Sequence, residues 1–374
     1  MEQWKSLLQT YLKSFDFDAA DKTVKKILEA SPLDAYANEL YPKISDWKDY
    51  DIKDGILYKY SGKAKRTEVP YGVITIEGGA FADCVVEEVV LPDTVGKLCG
   101  DVIGAFRGCK KLGIINLPES VKYVGEAAFE GTSLVKVCIP QSVEVIGAKA
   151  FAFCSSLAEI TIPESVKHIG VAAFSYCTAL SSVRMESLVC RISDSRFAGC
   201  TMLTHFEIPA SIQEIGALAF SQSGLQEIEI PSGVTFVGGG AFGECKSLES
   251  VTIVSSAIEF QKHSYVACNG NPSVCYPGTK SVLSGGEWYD CYAFRNCTML
   301  RAINHPETYS TEFFVGTLYW NKLRERKMIN NLQSGLCPVC GCKIARFTKD
   351  CTKSEGCIYN RNKEYYRNLI ERQK

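Results

Sequence analysis

Histidine is scarce in this sequence of 374 residues: only four are present, and none stands in a His-Glu-x-x-His motif or a recognisable catalytic triad. No other polar cluster departs from the repeat pattern described below, so we predict a non-enzymatic protein without a small-molecule substrate. No apolar run approaches the ~18 residues that a membrane span requires, and this argues against a membrane protein. The first eight residues lack the basic and apolar parts of a signal peptide, which predicts a cytoplasmic location.

Net charge is also small, at −1, and the contents of 46% hydrophobic and 22% charged residues are those of an ordinary globular protein. This balance conceals an asymmetry along the chain. Residues 301–374 carry 14 Lys and Arg against 7 Asp and Glu, whereas residues 1–300 carry 27 against 35. The basic segment suits either contacts with nucleic-acid phosphates or a solvated helix surface, and the sequence leaves both interpretations open.

One phrase recurs along most of the chain. A clear copy spans residues 162–180 and reads IPESVKHIGVAAFSYCTAL. Its phenylalanine recurs at intervals of 22 to 29 residues, most often 23, which predicts about ten stacked units of a solenoid. The ten predicted aromatic anchors are Phe81, Phe106, Phe129, Phe151, Phe174, Phe197, Phe220, Phe242, Tyr265 and Phe294.

Each unit reads as two short strands joined by tight corners. In residues 157–163, LAEITIP, the apolar side chains alternate with outward residues such as Thr161, as in a strand with one buried face. The proline ends the strand because it has no amide proton for a ladder. A second segment, residues 166–170, runs back, and Gly170 suits a corner that a side chain would obstruct. One unit cannot bury its own apolar face, so the units must stack into a β-solenoid.

The recurring phrase resembles the BspA-type leucine-rich repeat, Ile-Pro-x-Ser-Val-x-x-Ile-Gly-x-x-Ala-Phe, over roughly residues 52–306. The resemblance implies a curved leucine-rich-repeat β-solenoid and a protein that acts by adhesion or by binding other proteins. Known members of that family are largely surface or secreted proteins. Because no export signal is recognised here, we expect the binding role at a cytoplasmic location.

Eight of the 18 cysteines stand three residues after an anchor. This recurrent position predicts small buried thiols at packed corners, which we expect to remain reduced. Thr132 and Ser223 take the same position in two units whose next leucine comes one residue early. The eight predicted corner cysteines are Cys84, Cys109, Cys154, Cys177, Cys200, Cys245, Cys268 and Cys297.

A second group of cysteines lies near the C-terminus and predicts one structural zinc ion. The spacing Cys-x₂-Cys followed by Cys-x₅-Cys supplies four thiolates, as a closed tetrahedral site requires. The segment resembles the short zinc ribbon at the C-termini of bacterial topoisomerases, through Cys-Pro-x-Cys-Gly, Phe347 and the second cysteine pair. Cys342 is a spare that competes for one ligand position. The predicted ligands are Cys337, Cys340, Cys351 and Cys357.

These features divide the chain into four parts. We predict a helical N-terminal cap at residues 1–49, the solenoid at residues 50–306, a helical linker at residues 307–335, and the zinc ribbon with a basic helix at residues 336–374. Within the cap, helical spacing of apolar residues from Trp4 to Phe15 predicts one helix, and Asp18 is the predicted cap of a second. Asp54-Gly55 predicts a hairpin turn that opens the first coil.

The strand side of the solenoid is the predicted binding surface, because repeat proteins use such extended faces. Strand alternation directs two columns of side chains outward, and glutamates within them surround one arginine, which favours a basic partner. An insertion before Phe294 leads into two aromatic residues and offers a second candidate site. We therefore predict a protein-interaction scaffold, with nucleic-acid binding through the zinc ribbon as the alternative. The predicted partner-binding residues are Glu159, Arg184, Glu207, Glu227, Glu229, Trp288 and Tyr289.

Overall fold

The computed structural model describes residues 2–100, 103–255, 258–260, 263–266, 287–290, 293–294, 297–300 and 302–304. Within these residues, three helices precede a β-solenoid of about nine turns of ~23 residues. The helices are α1 (Glu2–Lys13), α2 (Phe17–Ala30) and α3 (Ala35–Trp47). The strands are β1 (Tyr50–Lys53), β2 (Ile56–Tyr60), β3 (Arg66–Glu68), β4 (Thr75–Ile76), β5 (Glu88–Val90), β6 (Lys97–Leu98), β7 (Ile114–Ile115), β8 (Tyr123–Val124), β9 (Val145–Ile146), β10 (Glu159–Ile162), β11 (His168–Ile169), β12 (Ser182–Met185), β13 (Arg191–Ile192), β14 (Glu214–Ile215), β15 (Glu227–Ile230), β16 (Phe236–Val237), β17 (Ser250–Ile253), β18 (Glu259–Phe260), β19 (His263–Val266), β20 (Glu287–Asp290) and β21 (Ala302–Asn304).

The N-terminal helices form a small core of their own, which includes Leu8, Val24 and Ile44. The predicted cap of the second helix is wrong: Asp16, not Asp18, accepts the hydrogen bond from the Ala19 amide, at 3.0 Å. An N-cap must precede the first helical residue, and Asp18 already lies inside α2. The helices also contact the solenoid, since the indole of Trp47 donates to the carbonyl oxygen of Glu68 at 2.9 Å.

A hairpin opens the solenoid at the predicted position. Strands β1 and β2 pair antiparallel, and Asp54 and Gly55 between them have φ angles of 51° and 76°. Two positive φ angles in succession are what a type I′ turn demands, and Asp-Gly satisfies that demand at low cost. The chain then continues in parallel ladders, and the prediction of the hairpin is confirmed.

Two parallel ladders run along opposite sides of each coil. The return ladder consists of one sheet from β1 to β11 and another from β13 to β18, made largely of two-residue strands. The strand face consists of three sheets with longer strands: β3-β5-β7, β10-β12 and β15-β17-β21. Gly170 lies at a corner between them, where an added Cβ would collide with the backbone nitrogen of Ala148. The predicted steric reason for this glycine is confirmed.

A column of phenylalanine rings fills the interior. Ring centroids of successive anchors from Phe81 to Phe294 lie 4.7 to 5.8 Å apart, with interplanar angles no larger than 23°. Each ring is fully buried. Such offset stacks combine the burial of a large apolar group with a favourable ring geometry.

Six of the eight predicted corner cysteines are buried beside this column, as predicted, whereas Cys84 is only half-buried. The buried thiols donate hydrogen bonds to the neighbouring coil. The Cys177 thiol donates to the carbonyl oxygen of Phe151 in the preceding coil at 3.1 Å. Thr132, which stands at this position in one unit, donates its hydroxyl instead to the carbonyl oxygen of Phe129, the anchor of its own coil, at 3.0 Å. Five further buried thiols make the bond to the preceding anchor: Cys109, Cys154, Cys200, Cys245 and Cys297.

The prediction of Tyr265 as the ninth of the ten anchors is wrong. It lies in β19, which pairs antiparallel with β20, and so residues 263–290 include a hairpin outside the parallel ladders. The Phe242 ring instead stacks on Phe294 at 5.2 Å, and β17 pairs directly with β21. The sequence after Phe260 reads QKHSY, which lacks the Gly-x-x-Ala-Phe phrase found at most of the other corners. Cys268 lies outside the described residues.

Candidate functional site

Five of the predicted partner-binding residues lie on the strand face with exposed side chains. Glu159 belongs to β10 and Arg184 to β12, while Glu227 and Glu229 belong to β15. Glu207 lies in the coil between β12 and β15. The intervening residues of β10 and β15 are buried isoleucines, so the two-residue period of a strand accounts for the outward direction of the glutamates.

Ion pairs divide these residues into two groups. Glu159 pairs with Lys136 at 2.6 Å, and Arg184 pairs with Glu186 at 3.0 Å. Arg184 therefore does not neutralise the predicted glutamate cluster. Among the described residues, Glu207 and Glu229 have no ion-pair partner, and Glu227 lies 3.8 Å from the ring of His205. The unneutralised negative charge is thus concentrated on Glu207, Glu227 and Glu229.

These three glutamates line one open cavity of about 530 Å³ on the strand face. The cavity crosses four successive coils, from the one that contains β12 to the one that contains β17. Its remaining lining combines serine and threonine hydroxyls with the edges of apolar side chains. The lining residues are Ser181, Ser182, Val183, His205, Phe206, Glu207, Glu227, Ile228, Glu229, Ser250 and Thr252.

The cavity coincides with an interruption of the ladder at residues 205–208, which we call the break segment. Within residues 103–255, no backbone hydrogen bond joins the break segment to β12 or to β15. Phe206 distinguishes this interruption, because it is the one aromatic residue in an inward-facing column of valine and isoleucine. Its ring packs 5.2 Å from Phe197 and 4.9 Å from Phe220. The strand face is also interrupted between β7 and β10, where the column residue Val137 is aliphatic and an isolated bridge joins Lys136 to Glu159. The described column is Val89, Ile115, Val137, Ile160, Val183, Phe206, Ile228 and Val251.

One corner beside the break holds a buried charge that sequence reasoning missed. Arg196 is 2% exposed and occupies the place that alanine takes in the other coils, such as Ala173. Its guanidinium donates to Ser193 Oγ and to the carbonyl oxygen of Arg191, whereas Nη1 has no partner among the described residues. Burial away from water lowers the pKa of Arg196 to about 9. The arginine at an alanine position was the available signal in the sequence.

A larger cavity, of about 920 Å³, lies where the helices meet the first coils. Its lining is mainly apolar and aromatic, and Phe15 beside it has a φ of 59°, which is unusual for a bulky residue. Sequence reasoning missed this site because its walls come from distant parts of the chain. The apolar side chains in its lining include Leu12, Phe15, Phe17, Trp47, Tyr71 and Ile74.

The side chains of the remaining predicted site residues lie outside the described part of the chain. Trp288 and Tyr289 belong to β20, and only their backbone is described. The predicted zinc ligands Cys337, Cys340, Cys351 and Cys357 lie outside the described residues, as do the segments predicted to form the linker and the basic helix. In the part of the chain that is described, no His, Cys, Asp and Glu residues group in a way that would hold a metal ion. Nor does any described helix have the length and apolar character to cross a membrane.

Comparison with known proteins identifies the repeat. The sequence matches the BspA type leucine-rich repeat region in six copies, within residues 51–102, 74–204 and 190–311. No functionally curated protein matches the chain. Among solved structures, a leucine-rich repeat protein from Bacteroides ovatus is 24% identical, with a TM-score of 0.46, over 72% of this chain and 79% of that one.

Two further solved structures are similar. The T. pallidum leucine-rich repeat protein is 30% identical, with a TM-score of 0.42, over 54% of this chain and 88% of its own. A leucine-rich cell surface protein from Faecalibacterium prausnitzii is 21% identical, with a TM-score of 0.28, over 69% of this chain and 92% of its own.

Proposed function

The chain belongs to the BspA-type leucine-rich repeat family, and from that premise we propose that it is a non-enzymatic scaffold that binds a basic protein partner on its strand face. Leucine-rich repeat proteins are generally binding scaffolds, and their solenoids are typically non-catalytic. We assign a basic charge to the partner, and we assign its contact to the part of the strand face that contains Glu207, Glu227 and Glu229. Glu159, Arg184, Trp288 and Tyr289 remain candidate contacts.

The observation that carries the proposal is the gathering of Glu207, Glu227 and Glu229 around one cavity. Like charges on adjacent coils repel one another, and Glu207 and Glu229 have no ion-pair partner among the described residues. A lysine or arginine of a partner relieves that repulsion while burying little of its own charge. Complementary charge of this kind mainly increases the association rate and the specificity of binding.

Short random peptides displayed on phage provide a direct test with the full chain as bait. We expect the selected peptides to be enriched in lysine and arginine, and we expect them to lose binding to the triple variant Glu207→Lys, Glu227→Lys and Glu229→Lys. The matched control reverses three exposed glutamates outside the cavity: Glu119, Glu164 and Glu259. Equal loss in both triple variants, or none in either, would place the binding site elsewhere, with Trp288 and Tyr289 the next candidates.

Nucleic-acid binding through the C-terminal segment is the second candidate, and the excess of basic residues in 301–374 favours it. Contacts with phosphates release counterions, so retention of the full chain on DNA or RNA should fall steeply with salt. A truncation after residue 306 should abolish that retention. Retention by the truncated chain, or retention insensitive to salt, argues against this candidate.

A further inference from the structure

The two sides of the break segment leave strand edges unpaired. On one side β12 pairs with β10 over all four of its residues, and on the other β15 pairs with β17 over four. Between them, in residues 103–255, the ladder resumes only where the Gln226 amide donates to the carbonyl oxygen of Thr204 at 3.0 Å. A strand edge with free amide and carbonyl groups is a ready template for pairing with another chain.

The direction of the free groups follows from the bonds that β12 already makes. The amides of Ser182 and Glu186 donate toward β10, to the oxygens of Ala158 and Ile162. Because successive residues of a strand direct their amide and carbonyl groups to opposite edges, those of Val183 and Met185 face the break. β12 therefore presents an edge about two hydrogen-bonding residues long.

The inward-facing side chains of β12 are also more exposed than their counterparts in β10. Val183 and Met185 are only partly buried, whereas Ile160 and Ile162, their counterparts in β10, are 2% and 0% exposed. The difference arises because the break segment does not lie against β12 as a paired strand would. An added strand would remove this apolar surface from water as well as pairing the backbone.

We propose that the edge of β12 accepts an added β-strand from the partner, an extended segment in which apolar and basic residues alternate. This inference rests on the proposed function and specifies how the partner binds. Successive side chains of a strand point to opposite faces. The apolar side chains of the segment then cover Val183 and Met185, while its lysines or arginines point outward to Glu207 and Glu227.

The negative charge of the cavity determines which kind of partner segment can bind at the edge of β12. The cavity beside the edge contains three glutamates and one histidine as its ionisable groups. An acidic or uncharged segment would leave the glutamates unneutralised, whereas a basic one pairs with them at the rim. Backbone bonds then supply affinity and the outward residues supply specificity, as in other complexes formed by strand addition.

An acetylated and amidated peptide of alternating valine and lysine is the probe, tested against the full chain. Its counterpart is N-methylated on alternate residues, so that one edge loses its amide protons while the charges stay the same. We expect N-methylation on the pairing edge to weaken binding ~10-fold or more. Amide hydrogen exchange in residues 182–185 should slow when the unmodified peptide binds.

A variant of the protein itself also tests strand addition at the edge of β12. Phe206→Ile restores the residue type of the column, so the break segment should rejoin the ladder and compete with the peptide, weakening binding ~10-fold or more. Ile160→Val, in the intact strand β10, is the control, and thermal unfolding verifies that both variants fold. Methylated and unmodified peptides that bind equally, or a complete lack of binding, would overturn strand addition. The charge-reversal experiment tests the role of the three glutamates separately, so a failure of the proposed function is distinguishable from a failure of strand addition.

Discussion

Replacing Phe174 by alanine tests the stack inside the solenoid. The Phe174 ring is fully buried, 5.4 Å from the ring of Phe151 and 5.8 Å from that of Phe197. Hydrogen bonds from the amide of Phe151 to Ala173 and from that of Phe174 to Arg196 hold the coils at a fixed separation. The neighbouring coils are therefore unable to collapse into the space that the ring leaves. We expect the free energy of unfolding to fall by about 3–5 kcal/mol.

The matched control is Phe153→Ala, which removes the same ring from the outside of a corner. Phe153 is 43% exposed and stacks on Tyr176 at 5.0 Å. Losing one such contact costs about 0.5–1.5 kcal/mol. Urea unfolding followed by far-UV circular dichroism measures both variants. Equal losses would refute the reasoning, because they would mean that burial in the column adds nothing to an exposed stack.

Three further predictions follow from buried or clustered charge. Burial raises the pKa of the Cys154 thiol to about 12. The contribution of this thiol to the free energy of unfolding is therefore complete below its unfolded pKa of ~8.5, and it falls by about 1.4 kcal/mol per pH unit between ~8.5 and the folded pKa. Urea unfolding from pH ~8 to ~10 should show this slope reduced in Cys154→Ser, and an unchanged slope contradicts it. Arg196→Met should raise the free energy of unfolding by about 1–4 kcal/mol; a loss would show that its hydrogen bonds outweigh the buried charge. Elemental analysis should find one zinc per chain, and less than half an equivalent argues against the ligands Cys337, Cys340, Cys351 and Cys357.

The coil architecture was predictable because each coil must satisfy the same packing and backbone requirements as its neighbours. The phenylalanine, the corner glycine and the strand alternation each answer a local requirement, and the structure meets all three at Phe174, Gly170 and Thr161. Tyr265 failed because spacing alone supported it. Phe197 stacks in the column although Ser193 stands at its corner glycine position, whereas Tyr265 has neither the corner glycine nor the alanine that precedes most of the anchors.

The acidic face was predictable in part. Alternation was enough to direct Glu227 and Glu229 outward, but the pairing of Arg184 with Glu186 depends on side-chain conformations that periodicity does not specify. The loss of strand pairing at the break segment likewise depends on packing between coils, which the alternation of side chains does not specify. Both outcomes are tertiary, and both override a local pattern that is otherwise regular.

Departures from the repeat are concentrated where the proposed binding site lies. The coil that contains β12 and β13 has no proline after its long strand and has Ser193 and Arg196 where its neighbours have glycine and alanine. The return ladder is interrupted between β11 and β13, and the strand face is interrupted at the break segment that follows. The strand face has one earlier interruption, between β7 and β10. A buried guanidinium whose Nη1 has no partner among the described residues and an aromatic ring in an aliphatic column each cost stability. Natural sequences tolerate such local conflicts mainly where function requires them, so their coincidence beside one acidic cavity supports assigning binding to this part of the solenoid.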